Sequence, residues 1–413
     1  MRIAIVGTGI AGNVCGYLLH REHDIAVFEA GGRIGGHTET HDIEIDGERH
    51  AVDTGFIVFN EHYYPNFVKL LARLNVASQP TRMGFSVQSG ATGLEYAGAS
   101  LDGLFAQRRN LIRPAHLRML WDILRFQREG LSTLAGIGDE TTVEEYVASN
   151  GYSRQFADDF LLPLGSALWS SPLARFRRFP IRFVIEFLAN HGMMQVFGRP
   201  DWRVVQGGSS RYVQPLTAGF QDRIRLRCAV RRAHRDAGGV TVVSDAGPER
   251  FDHLILACHA DQALAIVGNP SPAEREILGH FPYERNDTVL HTDASVLPKN
   301  RRAWASWNYR LVEAAEVRAA VTYNMNILQG IRSRHIFCVS LNEPGINPKS
   351  VLRRITYHHP IFRPGRANAQ RRHAELIGND RISYCGAYWG FGFHEDGVRS
   401  ALAVCGQFGA RLE

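Results

Sequence analysis

Lysine is nearly missing from this chain. Lys69, Lys299 and Lys349 are the only three in 413 residues, so arginine carries the formal net charge of +6. Cysteine is also sparse. Cys15, Cys228, Cys258, Cys338, Cys385 and Cys405 are scattered without C-x-x-C spacing, which points to buried, reduced thiols and indicates neither a metal site nor a disulfide framework. No run of eighteen apolar residues occurs, so no membrane-spanning helix is expected. No repeat or low-complexity linker stands out. A strand-like apolar run starting at residue 2 leaves no room for a cleaved signal peptide, and the expected location is cytoplasmic. The 45% of apolar residues can bury a sizeable core, and this length suggests two structural domains.

Two glycine clusters are what the chain does have. The apolar run Arg2-Ile3-Ala4-Ile5-Val6 leads into Gly7-Thr8-Gly9-Ile10-Ala11-Gly12 and a helical segment ending near His20. This is the pattern of strand, tight turn and helix start. Gly7 permits the turn, Gly9 lets a pyrophosphate approach bare backbone, and Gly12 lets helix pack on strand, so phosphates meet the helix N-terminus. A second strand, Asp24 to Phe28, delivers Glu29, whose carboxylate can accept both hydroxyls of an adenosine ribose. The chain continues at once as Ala30-Gly31-Gly32-Arg33-Ile34-Gly35-Gly36-His37. This second stretch of glycine-lined backbone, with an arginine able to pair with phosphate, points to FAD over NAD.

Beyond these units the patterning predicts interwoven segments. A helix is expected from Tyr64-Pro65 to Leu74, two short strands between 82 and 97, and helical structure from about 101 to 200. Strands are expected over Ile224 to Val230, Gly239 to Val243 and Asp252 to His259, and then sheet segments at Thr288 to Thr292, Ala303 to Asn308, Val321 to Met325, Ile336 to Leu341 and Ile355 to His358. A last strand, Ile382 to Ala387, precedes a helix starting at Asp396 and running to the C-terminus; its N-terminus can stabilise negative charge on a reduced flavin. Residues 1–81, 205–285 and 370–413 are assigned to a nucleotide domain, and 82–204 and 286–369 to a substrate domain. Arg108, Arg109, Arg113, Arg118, Arg125 and Arg128 are interleaved with Leu111, Ile112, Leu117, Leu120, Trp121, Leu124 and Phe126. They read as a basic amphipathic helix, either a solvated face or one that docks on anionic membrane. Arg175 to Phe183 interleaves arginine with aromatics in the same way. No nucleic-acid-binding module accompanies the charge.

The doublet Glu29-Ala30-x-x-Arg33-x-Gly35-Gly36 resembles the signature of the flavin amine oxidase superfamily, which also holds phytoene desaturases and protoporphyrinogen oxidase. Four blocks, Asp53 to Asn60, Trp304 to Asn308, Tyr357 to Phe362 and Cys385 to Gly397, resemble one bacterial branch of it, associated with cyclopropane fatty acid synthase-like methyltransferases. The fold implied is α/β, a Rossmann-like (GR2-type) FAD-binding domain interwoven with a mixed-sheet and helical substrate domain. The implied cofactor contacts come from Gly7, Gly9, Ile10, Ala11, Gly12, Glu29 and Ala30, then from Arg33, Gly35, Gly36, His37, Gly55 and Phe56. Val230 and, at the closing motif, Gly386, Ala387, His394, Gly397 and Val398 complete the set.

The resemblance implies an apolar, acyl-lipid substrate and a methyltransferase partner. Departures from the amine oxidase pattern point the same way. His37 stands where arginine usually follows the doublet, and Phe393 where one cage tyrosine is expected. His291 takes the place of the lysine held near flavin N5, and is either the catalytic group or a hydrogen-bonded structural histidine. Tyr388, Trp389, Phe391 and Phe393 line an apolar slot or else pack a core. The leading expectation is an FAD-dependent oxidoreductase that desaturates phospholipid acyl chains. The alternatives are an amine oxidase releasing aldehyde and hydrogen peroxide, and a flavin-binding accessory subunit of a lipid methyltransferase.

Overall fold

β1 (Arg2–Val6) is buried from its second residue onward, as a parallel strand covered on both faces must be. In this computed structural model, which describes residues 1–90, 92–169, 171–190, 192–195, 200–311, 320–363 and 365–413, it is followed by α1 (Ile10–Leu19) and β2 (Asp24–Phe28). Next come a hairpin of β3 (Thr40–Ile45) and β4 (Glu48–Asp53), helix α2 (Pro65–Arg73), and strands β5 (Phe85–Ser89) and β6 (Glu95–Ala97). Helices α3 (Pro114–Thr133), α4 (Leu162–Trp169) and α5 (Ile181–Asn190) form a lobe of their own. Strands β7 (Ile224–Arg225) and β8 (His253–Leu256) return to the first sheet. β9 (Tyr283–His291), β10 (Trp307–Leu311), β11 (Ala320–Asn324), β12 (Cys338–Leu341) and β13 (Val351–Pro360) build a second. β14 (Ile382–Tyr384) and α6 (His394–Gly406) close the first.

The first sheet has the order β7-β2-β1-β8-β14, every pair parallel. Ile3, Ile5 and Val27 pack under α1 and α6 with Val14 and Val404, while Ala4, Val6 and Leu254 face a separate core with Phe281. The second sheet has the order β13-β9-β12-β11-β10-β5-β6 and is antiparallel except where β10 runs parallel to β5. Phe126, Phe156, Phe176 and Leu188 form the core of the helical lobe. Each such side chain contributes roughly 1.5–3 kcal/mol by leaving water.

Several boundaries differ from the sequence reading, and β9 and β13 are longer than the expected Thr288–Thr292 and Ile355–His358 while β8 is shorter than Asp252–His259. The basic helix starts only at Pro114, and Arg108–Ile112 forms a separate 3₁₀ turn. Pro114 has no N–H to donate and holds Arg113 extended, so a helix can begin at it but not pass through it. The strand expected over Ile224 to Val230 ends at Arg225, because Arg227 takes a left-handed φ of 51° and turns its N–H to the carbonyl of Gly31. Val230–Asp236 then joins Gly239–Ser244 and Gly247–Phe251 in a three-stranded sheet of its own. A 3₁₀ turn at Arg301–Ala303 delays the next strand to Trp307. α6 begins at His394, two residues early, with the Asp396 carboxylate accepting from the N–H of Phe393 (3.0 Å), and it ends at Gly406 short of the terminus. Residues 170, 191 and 196–199 of the predicted helical stretch, and 312–319 of the predicted sheet region, lie outside the described residues.

Candidate active site

The turn after β1 folds as a dinucleotide cradle. Gly7 has φ 102°, and a Cβ on it would sit 2.8 Å from the carbonyl oxygen of Ala257. A Cβ on Gly12 would lie 2.0 Å from the oxygen of Gly7, so α1 rests directly on its own turn. Gly9 differs: it caps α1 in ordinary extended backbone (φ −65°, ψ 177°), and nothing lies within 4 Å of where its Cβ would be. No side chain caps α1, so the first-turn N–H groups of Ile10 and Ala11 point into that open space, the arrangement a pyrophosphate requires. Glu29 ends β2 half-buried, its Oε2 accepting from Thr8 N (2.9 Å) and its Oε1 from Gly31 N (2.7 Å). Ala30 beside it is exposed.

The second cluster closes over the first. Gly36, at φ 59°, would place a Cβ 2.7 Å from the Cα of Gly9, and a Cβ on Gly55 would strike the oxygen of His37 at 1.9 Å. A Cβ on Gly397 would lie 2.6 Å from Ile10 Cγ2, so the N-termini of α1 and α6 abut. Val398 is buried beside Ile10, Ala11 and Phe56. Ser400 joins strand end to helix, accepting from Gly386 N (2.9 Å) and donating to Gly397 O (2.9 Å), with Ala387 next in the turn. Val230 is buried with Ala26 and Phe28 at the β2 side. Two helix N-termini thus abut beside the open surface of Gly9, and these residues fit an FAD dinucleotide.

Three predicted contacts take other roles. Arg33, expected on a phosphate, is surrounded by acceptors of its own loop and donates to Thr38 O (2.9 Å), Gly36 O (2.7 Å) and Glu39 Oε2 (2.7 Å), bracing the doublet. Gly35, at φ 127°, is the bend within that brace. The His394 ring stacks on Phe56 at 3.4 Å and its Nε2 lies 3.0 Å from Thr38 Oγ1 and 2.8 Å from Tyr212 Oη, so it ties loop to helix. Burial, with His37 nearby, holds it well below the usual imidazole range.

His37 itself is exposed, with neighbouring elements crowded around its ring. Its ring is 4.5 Å from that of Tyr357 and 5.4 Å from that of His359, and burial first, then His359, His259 and Arg33, push it down to about 3. His359 and His259 are each pushed down to about 4 for the same leading reason, and His259 stacks on Tyr283 at 4.1 Å. His37 is exposed and His259 and His359 are half-buried beside it, and with values this low all three are neutral at pH 7.

His291, expected at flavin N5, is placed elsewhere. Side chains alternate across a strand. Leu290 faces the apolar cluster with Ile57, Val204, Trp307 and Tyr323, and His291 faces the opposite side. There it is fully buried, Nε2 lying 2.8 Å from Ser340 Oγ and Nδ1 accepting from Asp293 N (3.1 Å). The ladder continues through Ser340–Thr322 (2.7 Å), the Asn308 amide to Thr322 O (3.1 Å) and Ser86 to Asn308 (2.8 Å). His291 is a structural histidine because both ring nitrogens are used inside the sheet. His291→Ala should cost about 2–3 kcal/mol in urea unfolding by leaving buried polar partners unmet, while the rate of flavin reduction stays within about twofold. A large loss of reduction rate with stability unchanged would reverse that assignment.

The four aromatics of the closing motif divide. Phe391 and Phe393 reach the helical lobe, Phe391 lying 5.4 Å from Phe183 and Phe393 stacking 5.3 Å from Phe187. Tyr388 and Trp389, expected in the same slot, are turned the other way by the 3₁₀ turn Ala387–Trp389 into the core around Phe281, where Trp389 stacks on His373 at 4.0 Å. The opposite wall comes from residues that sequence reasoning did not select. Phe85, Trp307 and Tyr323 stand opposite one another on β5, β10 and β11, with Leu290 and Val339 continuing the row. All three rings are half-buried, and the signal available was the alternation in Trp307-Asn308-Tyr309 and Val321-Thr322-Tyr323. Glu395 was also missed: it caps α2 from a distance, accepting from Asn66 N (3.1 Å), Asn66 Nδ2 (2.6 Å) and Phe67 N (3.0 Å). Tyr64, which precedes α2, offers no side-chain cap, and that gap was its clue. Lys69, Lys299 and Lys349 are all exposed, so no lysine enters the chamber.

Comparisons agree with this geometry. Cyclohexylamine oxidase from Brevibacterium oxydans IH-35A superposes with a TM-score of 0.71 at 15% identity, over 99% of this chain and 99% of that one. A CLA-producing fatty acid isomerase from P. acnes superposes with a TM-score of 0.68 at 15% identity, over 98% of each chain. These show the shared fold. In sequence, the chain is 34% identical to a Mycobacterium tuberculosis protein described as a flavin-containing monoamine oxidase, AofH, over 83 residues, 20% of this chain and 18% of that protein. The family model for flavin containing amine oxidoreductase matches residues 10–287, and the chain belongs to that family as an FAD-dependent oxidoreductase.

Proposed function

We propose that the protein desaturates fatty acyl chains, those of membrane phospholipids. The observation that carries this reading is the chamber wall. Phe85, Trp307 and Tyr323 on one side and Phe183, Phe391 and Phe393 on the other, backed by the buried Phe187, present aromatic surface, which suits methylenes and offers a cationic amine no lysine-held water. Bound FAD supplies the two-electron acceptor. The aromatic walls hold the chain and exclude water, and the neutral rings of His37, His259 and His359 keep fixed positive charge away from the cofactor side. One acyl CH₂–CH₂ unit would become CH=CH by loss of two hydrogens, a hydride and a proton that are both taken up when the bound flavin is reduced to its dihydro form.

The family model and the AofH match favour a second reading, oxidation of an amine to an aldehyde with release of hydrogen peroxide. Lipid mass spectrometry on a host lacking and then expressing the chain separates the two. Acyl chains lighter by two hydrogens support desaturation; unchanged lipids with peroxide formed from polyamines support the amine reading. A flavin that neither lipid nor amine reduces leaves an accessory role beside a lipid methyltransferase. Tyr323→Arg should retain FAD yet lower acyl turnover by about tenfold or more, since an unpaired charge would face an apolar substrate. Unchanged turnover would remove this wall from substrate binding.

A further inference from the structure

The outer face of α3 is apolar and basic at once. Nine large hydrophobic side chains are exposed among the described residues, and seven of them fall between residues 101 and 131. Leu117, Trp121, Leu124 and Leu131 recur at helical spacing on one face, Trp121 being 56% exposed, and Ile112 in the preceding turn is 84% exposed. The other face, with Met119, Phe126 and Gly130, is buried. A helix face that only meets water would be polar at these positions.

Charge decides what covers it. Residues 101–133 hold six arginines against Asp102, Asp122 and Glu129, and Asp122 is wholly buried, accepting from Ser153 N (2.9 Å) and Arg118 Nε (3.2 Å). Arg108, Arg109, Arg113, Arg118 and Arg128 are exposed around the apolar stripe. The second arginine-aromatic segment carries no such face. Arg175 pairs with Glu284 (2.6 Å), Arg177 with Asp158 (2.7 Å) and Arg182 with Asp139 (2.8 Å), while Phe176 and Phe179 are core.

We propose that this face of α3, with the turn Arg108–Ile112, seats on a bilayer containing anionic phospholipid. Ile112, Leu117, Trp121 and Leu124 enter the boundary of head groups and acyl chains, and the flanking arginines meet phosphates. No helix among the described residues is long and apolar enough to cross a membrane, so contact is with one leaflet. On its inner side, Ile123 and Phe126 belong to the apolar cluster that also holds Phe183, Phe391 and Phe393, which sets the chamber wall directly behind the docked helix. The inference gives the acyl-lipid reading its route of supply and rests on that reading for its purpose, while the contact itself is measured without turnover.

The FAD-loaded protein should co-sediment with vesicles of phosphatidylcholine plus phosphatidylglycerol about tenfold more strongly than with phosphatidylcholine alone, and less so as salt rises. Combined Leu117→Ser, Trp121→Ser and Leu124→Ser should lose binding by about tenfold or more. Combined Arg108→Gln, Arg113→Gln, Arg118→Gln and Arg128→Gln should erase the preference for anionic vesicles. All these side chains are exposed, so both variants should keep the flavin spectrum. The proposal is overturned if the parent protein stays in the supernatant with both vesicle types, or pellets equally and indifferently to both variants. It is equally overturned if the serine variant turns a lipid-free dimer into a monomer, which would give the face to a second copy. Acyl desaturation is assayed separately in detergent micelles, so either result can fail alone.

Discussion

Gly9→Val should give a folded, colourless protein. Gly9 has backbone angles open to any residue, and no atom lies within 4 Å of the new Cβ; the apo fold therefore tolerates the change. The added methyls occupy the space over the free N–H groups of Ile10 and Ala11, where the pyrophosphate has to sit. FAD affinity should fall by about a hundredfold or more, roughly 2.8 kcal/mol. Gly12→Ala is the contrasting variant: its Cβ would meet the oxygen of Gly7 at 2.0 Å and Ala257 Cβ at 3.2 Å, so it should damage the fold itself. Circular dichroism and the flavin absorbance of both purified proteins separate the cases. A yellow Gly9→Val protein with full cofactor content would show that the dinucleotide is held elsewhere.

Acid should unfold the protein between about pH 6.5 and 4. Burial, helped by the Arg381 charge, pushes His253 down to about 4, and burial does the same to His291 against the pull of Asp293. Both are buried in the fold. A base with a lowered folded value takes up its proton on unfolding, so its stability contribution is present above pH 6.5 and lost as pH falls towards 4. Each amounts to on the order of 3 kcal/mol, a large share of the 5–15 kcal/mol typical of a domain. Asp53, Asp159 and Asp396, pushed up to about 6 by burial, act in the opposite direction. The histidines outnumber them, since His37, His259, His359, His373 and His394 are lowered as well. Urea midpoints should fall steadily from pH 7 to pH 4.5, and His253→Gln should flatten the slope by about one proton. A flat profile would contradict this.

The cradle was legible in the sequence because its requirements are local. Gly12 is set by the oxygen of Gly7 inside one motif and Gly36 by the backbone of Gly9 in the neighbouring cluster, and glycine is the residue such contacts admit. The chamber was far less legible. Phe85, Trp307 and Tyr323 become neighbours only through the register of three strands distant in sequence, one of them running parallel. His291 misled because strand parity decides its direction, and parity is invisible until the sheet partners are known. Tyr388 and Trp389 misled for a related reason: one 3₁₀ turn reverses them relative to Phe391 and Phe393. Arg33 has the right chemistry for a phosphate but is claimed first by the carbonyls of its own loop.

The most direct test is anaerobic mixing of the FAD-loaded protein with phospholipid in detergent, following the flavin absorbance and the mass of the acyl chains together. The account predicts that phospholipid bleaches the flavin, one equivalent of acyl chain losing two hydrogens per flavin reduced, and that diamines leave it oxidised. Bleaching by a diamine with no response to phospholipid would contradict it.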